Sequence, residues 1–176
     1  MIVVNDKIVL AVPPKTGSRR MLATFQRHAV YFMHSGFAEH HGAFVANYEH
    51  RILISREPLE RFVSLYWFLR TLKKTRLDVS SFESFQQSVV DGYCPNKQDP
   101  LCKFLHQYKN GFNPTQIVPL ENIDALWPIV GEQFRSIYHA ADPQSTKNRP
   151  SVEETVREGL LSDFEDLLAK DYCELG

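Results

Sequence analysis

An α/β fold on a mainly parallel central sheet is what this sequence predicts, and a few observations predict it. Short β-rich runs at residues 2–4, 8–12, 51–55 and 116–120 alternate with longer segments whose apolar residues recur at helical spacing. No internal repeat, Gly/Ser linker or low-complexity tract divides the 176 residues, so a single domain spanning 1-176 is expected. Hydrophobic residues make up 43% and charged residues 23%, which excludes a disordered or collagen-like chain.

Taken in order, residues 2–4 and 8–12 flank Asn5-Asp6-Lys7, a hairpin signal, and Pro13-Pro14 stops the second run. From Ser18, a suitable N-cap, Met21, Leu22, Phe25, Ala29 and Phe32 keep the spacing of one helix. Residues 36–48 are irregular, and 51–55 (RILIS) read as a buried strand. Pro58 then opens a helix with Leu59, Phe62, Val63, Tyr66 and Leu69 on one face. Residues 81–90 and 100–108 read as helices, and 116–120 as a strand. Residues 127–138 and 152–168 read as further helices, the latter broken near Gly159. Ligands of such folds bind beyond the carboxyl ends of the strands.

Charge is unevenly placed. The formal net charge is −1, yet residues 1–76 hold 12 Lys/Arg against 5 Asp/Glu, and residues 151–176 hold 2 against 8. A basic half attracts anions. Without a basic run longer than Arg19-Arg20 or Lys73-Lys74, a small phosphate-bearing ligand fits better than nucleic acid. No apolar run reaches the ~18 residues of a membrane span. The first residues lack a basic n-region and carry Asp6 and Lys7 within their apolar stretch. The expectation is a soluble cytoplasmic protein that engages no membrane. Cys94, Cys102 and Cys173 form no C-x-x-C pair and are expected as buried free thiols; no metal-ligand spacing is visible.

The chemistry concentrates at two strand ends. In Val12-Pro13-Pro14-Lys15-Thr16-Gly17-Ser18, between a strand and a helix, backbone N–H groups form an anion cradle that Gly17 lets a ligand approach. Lys15 adds a point charge, and Thr16 and Ser18 add hydroxyls. The Walker A order is absent, because Pro14 precedes Lys15. A capped turn with a solvated lysine is the plainer reading of the same residues. The second segment is Ser55-Arg56-Glu57-Pro58-Leu59-Glu60-Arg61-Phe62-Val63-Ser64. A guanidinium at its strand end and a hydroxyl on the following helix suit a terminal phosphate. A surface salt-bridge network through Glu57 and Glu60 is the alternative.

Together, strand–PKTGS–helix and strand–R-x-P-x-x-R-x-x-S–helix resemble the sulfotransferases that use 3′-phosphoadenosine 5′-phosphosulfate (PAPS). The carbohydrate-type branch is the closer likeness, with Ser64-Leu65-Tyr66 completing its second motif. Residues 117–123 are similar to that family's later strand and turn, Asn148-Arg149-Pro150-Ser151 resembles its late "N-x-S" region with one extra residue, and residues 168–172 are like its closing helix. The resemblance implies a P-loop-like three-layer sandwich and a sulfuryl transfer from PAPS, as co-substrate, to a hydroxyl or amine of a carbohydrate or small-molecule acceptor. It implies that Lys15, Thr16, Gly17 and Ser18 hold the 5′-phosphosulfate, with Arg19 assisting, and that Lys15 stabilises the leaving oxygen. Arg56 and Ser64 would hold the 3′-phosphate, and Lys147 and Arg149 would close on the nucleotide. His41, ahead of His40, would be the base, with Glu39 orienting either ring. Arg61 fits a structural ion pair equally well. A P-loop-like small-molecule kinase and an inactive nucleotide-binding scaffold are the alternatives.

Overall fold

The computed structural model describes residues 1–26, 31–32, 42–93, 103–141 and 149–175. Its five strands are β1 (Ile2–Val3), β2 (Ile8–Ala11), β3 (Tyr31–Phe32), β4 (His50–Ser55) and β5 (Gln116–Pro119), in the spatial order β3-β1-β2-β4-β5. The helices are α1 (Ser18–Phe25), α2 (Gly42–Val45), α3 (Pro58–Leu69), α4 (Phe82–Ser88), α5 (Leu105–Phe112), α6 (Trp127–Val130), α7 (Gln133–Ala140), α8 (Val152–Thr155) and α9 (Ser162–Leu175).

The hairpin forms as the sequence predicts. Ile2 pairs with Leu10 in antiparallel register, and the Asn5 side chain closes the turn by accepting from the N–H groups of Lys7 and Ile8 at 2.9 and 3.0 Å. β2, β4 and β5 run parallel, with Leu10 beside Ile52 and Leu53 beside Ile117. The sheet as a whole is mixed, which corrects the mainly parallel expectation: β1 and β3 are both antiparallel to their neighbours. Residues 31–32 were expected as the end of the first helix, but α1 stops at Phe25 and these two residues pair with β1. Tyr and Phe are strong strand formers, so helical spacing at Phe32 was a poor guide.

Alternation along the strands covers both sheet faces with helices. Leu10, Ile52, Ile54 and Val118 meet Met21 and Phe25 of α1, Trp127 of α6 and Phe134 and Tyr138 of α7. Val9, Ala11 and Leu53 meet Val45 of α2 and Tyr108 and Phe112 of α5 on the other side. A third cluster joins Phe62, Leu65, Tyr66 and Leu69 of α3 to Phe85 of α4, Phe104 and Phe164 of α9. The predicted helix 127–138 is two helices, since Gly131 at φ 119° turns the chain between α6 and α7. The break near Gly159 occurs as read, with φ 94° there. Cys173 is exposed, contrary to the buried thiol expected; Cys94 and Cys102 lie outside the described residues. No helix among the described residues is long and apolar enough to cross a membrane.

One buried polar contact locks the end of the chain onto α5. Asp171 of α9 is fully buried; its carboxylate accepts from the N–H groups of Leu105 and His106, both at 2.9 Å, and from the His106 ring at 2.5 Å. Asp171→Ala leaves these donors unsatisfied in the interior, so a loss of about 3 kcal/mol in unfolding free energy is expected from urea titration.

Candidate functional site

The 12–18 segment leaves the carboxyl end of β2 and is shaped chiefly by its own backbone. The fully buried Thr16 donates its hydroxyl to the Pro13 carbonyl at 2.6 Å, and its N–H bonds the same oxygen at 3.2 Å. Thr16 was expected to offer that hydroxyl to a ligand; its side chain instead closes the turn. Lys15 and Gly17 both adopt left-handed backbone, at φ 69° and 79°. Gly17, not Ser18, is the N-cap of α1, and it supplies no side-chain acceptor. The first helical bond runs from Met21 N–H to the Gly17 carbonyl, so the N–H groups of the first turn lie ahead of the helix ladder, at its positive end.

Gly17 also answers a backbone requirement. A Cβ there would sit 2.9 Å from Leu120 Cδ1 in a backbone region that L-residues enter at a cost of about 1–2 kcal/mol. Gly17→Ala is therefore expected to lower stability by about that amount and to weaken anion binding, read by thermal unfolding and calorimetry; unchanged values would show that the loop adapts.

α3 presents the opposing wall. Glu57 caps it by accepting from the N–H groups of Leu59 and Glu60, and Pro58 fills the first turn, where it needs no donor. Glu60, Ser64 and Phe68 follow one another at four-residue spacing along one helix face. Arg56, at the end of β4, donates Nε and Nη2 to Glu60 Oε2 at 3.2 and 2.8 Å, and Nη1 to the Lys15 carbonyl at 3.2 Å. Arg61 is fully buried and donates Nε to the Pro14 carbonyl at 3.1 Å. Two guanidinium groups thus grip successive carbonyls of the loop, those of Pro14 and Lys15. The salt-bridge alternative and the phosphate reading coexist at Arg56, because a guanidinium has five N–H donors and these contacts use three of them.

Positive charge converges on the loop. The Lys15 ammonium lies 4.5 Å from the centre of the Phe68 ring, with the Arg19 guanidinium 5.8 Å from it. Burial, and then the neighbouring charges of Arg19, Arg56 and Arg149, push the Lys15 ammonium down from 10.5 to about 8. Partial burial and Arg56 also lower Arg149, against the opposing pull of Glu60. Arg149 reaches this cluster because the segment after it is pinned to α3. Ser151 and Glu154 form a capping box at the start of α8, and Trp67 Nε1 donates to Thr155 Oγ1 at 2.9 Å.

The structure therefore brings Lys15, Arg19, Arg56 and Arg149 together and places the buried Ser64 on the α3 face between Glu60 and Phe68. His40, His41, Glu39 and Lys147 lie outside the described residues. Trp67, on the same helix, is a clamp on Thr155. Sequence reasoning missed Phe68 as the ring beneath two cations, although its spacing from Ser64 extends the same face. It also missed His106, whose partner Asp171 is 65 residues away. In comparisons with protein-family models, curated proteins and solved structures, nothing matches this chain.

Proposed function

We propose that this chain is a PAPS-dependent sulfotransferase acting on a hydroxyl or amine of a carbohydrate or small-molecule acceptor. The observation that carries the reading is the convergence of Lys15, Arg19, Arg56 and Arg149 at the carboxyl ends of β2 and β4, where burial first, and then the three guanidinium charges, lower the Lys15 ammonium to about 8. Like charges so gathered are relieved by a ligand with more than one anionic group. The residues fit such a co-substrate on both sides. The loop N–H groups, Gly17 and Ser18, with Lys15 and Arg19, would hold the 5′-phosphosulfate. Arg56, through its two remaining donors, and Ser64 would hold the 3′-phosphate, with Arg149 closing over it.

In this reading the mixed sheet with helices on both faces is a P-loop-like three-layer arrangement. The co-substrate supplies an activated sulfuryl group and a phosphate leaving group. The chain's part is electrostatic and positional: Lys15 balances charge on the leaving oxygen, and the rigid loop holds its donors in place before reaction. From the sequence, His41 or His40 would take the acceptor's proton. The test is incubation of the protein with PAPS and a panel of carbohydrate and alcohol acceptors, followed by mass spectrometry. The reading requires 3′-phosphoadenosine 5′-phosphate and a sulfated product to appear together, and neither with Lys15→Ala. PAPS left intact with every acceptor, and unbound, would reject it.

A further inference from the structure

We propose that a second, separate cavity, between α4 and the connection from α8 to α9, binds a small ammonium compound that also carries a hydroxyl group. The cavity has a volume of about 120 Å³, and its walls include Glu83 and Gln86 of α4 with Glu158, Gly159 and Leu161 of the connection.

Gln86 points to a ligand. It is only 1% exposed, and its Oε1 accepts from the Leu161 N–H at 2.9 Å. Because that N–H can only donate, the bond fixes which end of the amide faces the chain, and Nε2 faces away from it. Nε2 has no hydrogen-bond partner among the described residues, yet it is not sealed from solvent as a fully buried atom would be. A buried side chain that lines the cavity thus keeps amide donors without a partner among the described residues. Such a group calls for an oxygen acceptor.

Glu83 and Glu158 are exposed carboxylates on the rim, and among the described residues no basic one lines the cavity. The charge therefore favours a cation. Thr155 adds no free donor, since its hydroxyl already donates to the Ser151 carbonyl at 2.8 Å and accepts from Trp67. Phe82 and Leu160 give the wall apolar surface for a short carbon chain. Gly159, at φ 94°, has open space where a Cβ would stand, so the connection passes without filling the cavity. The volume is below the ~150 Å³ that accommodates a benzene molecule, which limits the occupant to a few heavy atoms or to the head group of something longer. Cation, oxygen and size together describe a short amino alcohol. The lining includes Thr155, which Trp67 holds beside the cation cluster, but none of the residues proposed to hold the nucleotide, so the inference stands apart from that reading.

The test uses the full-length ¹⁵N-labelled protein and follows the Gln86 side-chain amide signals by NMR. Ethanolamine is the probe, with ethylamine (no hydroxyl) and ethylene glycol (no charge) as controls. The proposal expects saturable shifts with ethanolamine and at least about tenfold weaker binding of each control, as loss of one charge-assisted or neutral contact implies. The exposed pair Glu83→Gln and Glu158→Gln, which leaves the fold intact, should weaken ethanolamine about tenfold. Shifts that grow linearly without saturating, equal response to all three compounds, or unchanged affinity in the double variant would each overturn it.

Discussion

With the proposed sulfuryl transfer as the readout, Lys15→Ala is expected to lower the rate by about 10²–10³-fold, the usual cost of removing one preorganised group at a developing negative charge. Lys15 sits in the loop between β2 and α1, above the Phe68 ring, and three guanidinium neighbours already act on it. Its backbone is left-handed at φ 69°. Alanine meets the same backbone strain as lysine, so the substitution isolates the side chain. Lys15→Gly relieves the strain as well. Equal losses in the two variants would assign the effect to the ammonium group, whereas recovery in the glycine variant would assign it to loop geometry.

The same residue sets a pH dependence. With its ammonium lowered to about 8, Lys15 is charged below that pH and loses its proton as pH rises through it. Affinity for a polyanion should thus hold at neutral pH and decline above pH 8. An anion bound beside Lys15 raises its pKa again, so the decline in the bound complex falls at higher pH than in the free protein. Calorimetric titrations on either side of pH 8 should show the decline in the parent chain and a flatter profile in Lys15→Ala. Identical slopes in both would remove Lys15 from the binding charge.

The second large effect is expected at Arg56. Arg56→Ala removes the two donors that the proposed reading gives to a terminal phosphate, and charge-assisted hydrogen bonds are each worth about 1.5–3 kcal/mol. It also releases the Lys15 carbonyl and leaves Glu60 without its partner. Binding of 3′-phosphoadenosine 5′-phosphate should weaken by about 10²–10³-fold, while binding of ADP, which lacks the 3′-phosphate, changes little. Arg56→Lys keeps the charge but cannot serve Glu60, the Lys15 carbonyl and a phosphate from one plane, so an intermediate loss is expected. Equal weakening of both nucleotides would mean that Arg56 acts only by shaping the loop.

Much of this was legible in the chain because it depends on local chemistry. Asn5 closes its turn with its own side chain, Pro58 starts α3 where a missing N–H does no harm, and Gly17 stands where the backbone turns left-handed. The two motifs lie at strand ends because each follows an apolar run directly. What stayed hidden depends on contacts distant in sequence. Nothing near Thr16 shows that its hydroxyl turns inward, and nothing near Arg61 shows that it holds Pro14. The pairing of residues 31–32 with β1 depends on a sheet edge that no local pattern announces. Arg149 comes near Lys15 across the chain, and the segment that follows it is held to α3 by the Trp67–Thr155 bond, 88 residues apart.

The account stands most directly on whether the four cations recognise a nucleotide with separate phosphates at its 3′ and 5′ ends. Calorimetric titration with 3′-phosphoadenosine 5′-phosphate, with ADP as the control, measures that. Tight binding of the former, much weaker binding of ADP, and loss of the difference in Arg56→Ala are expected. Absence of binding, or equal binding of the two nucleotides, would contradict it.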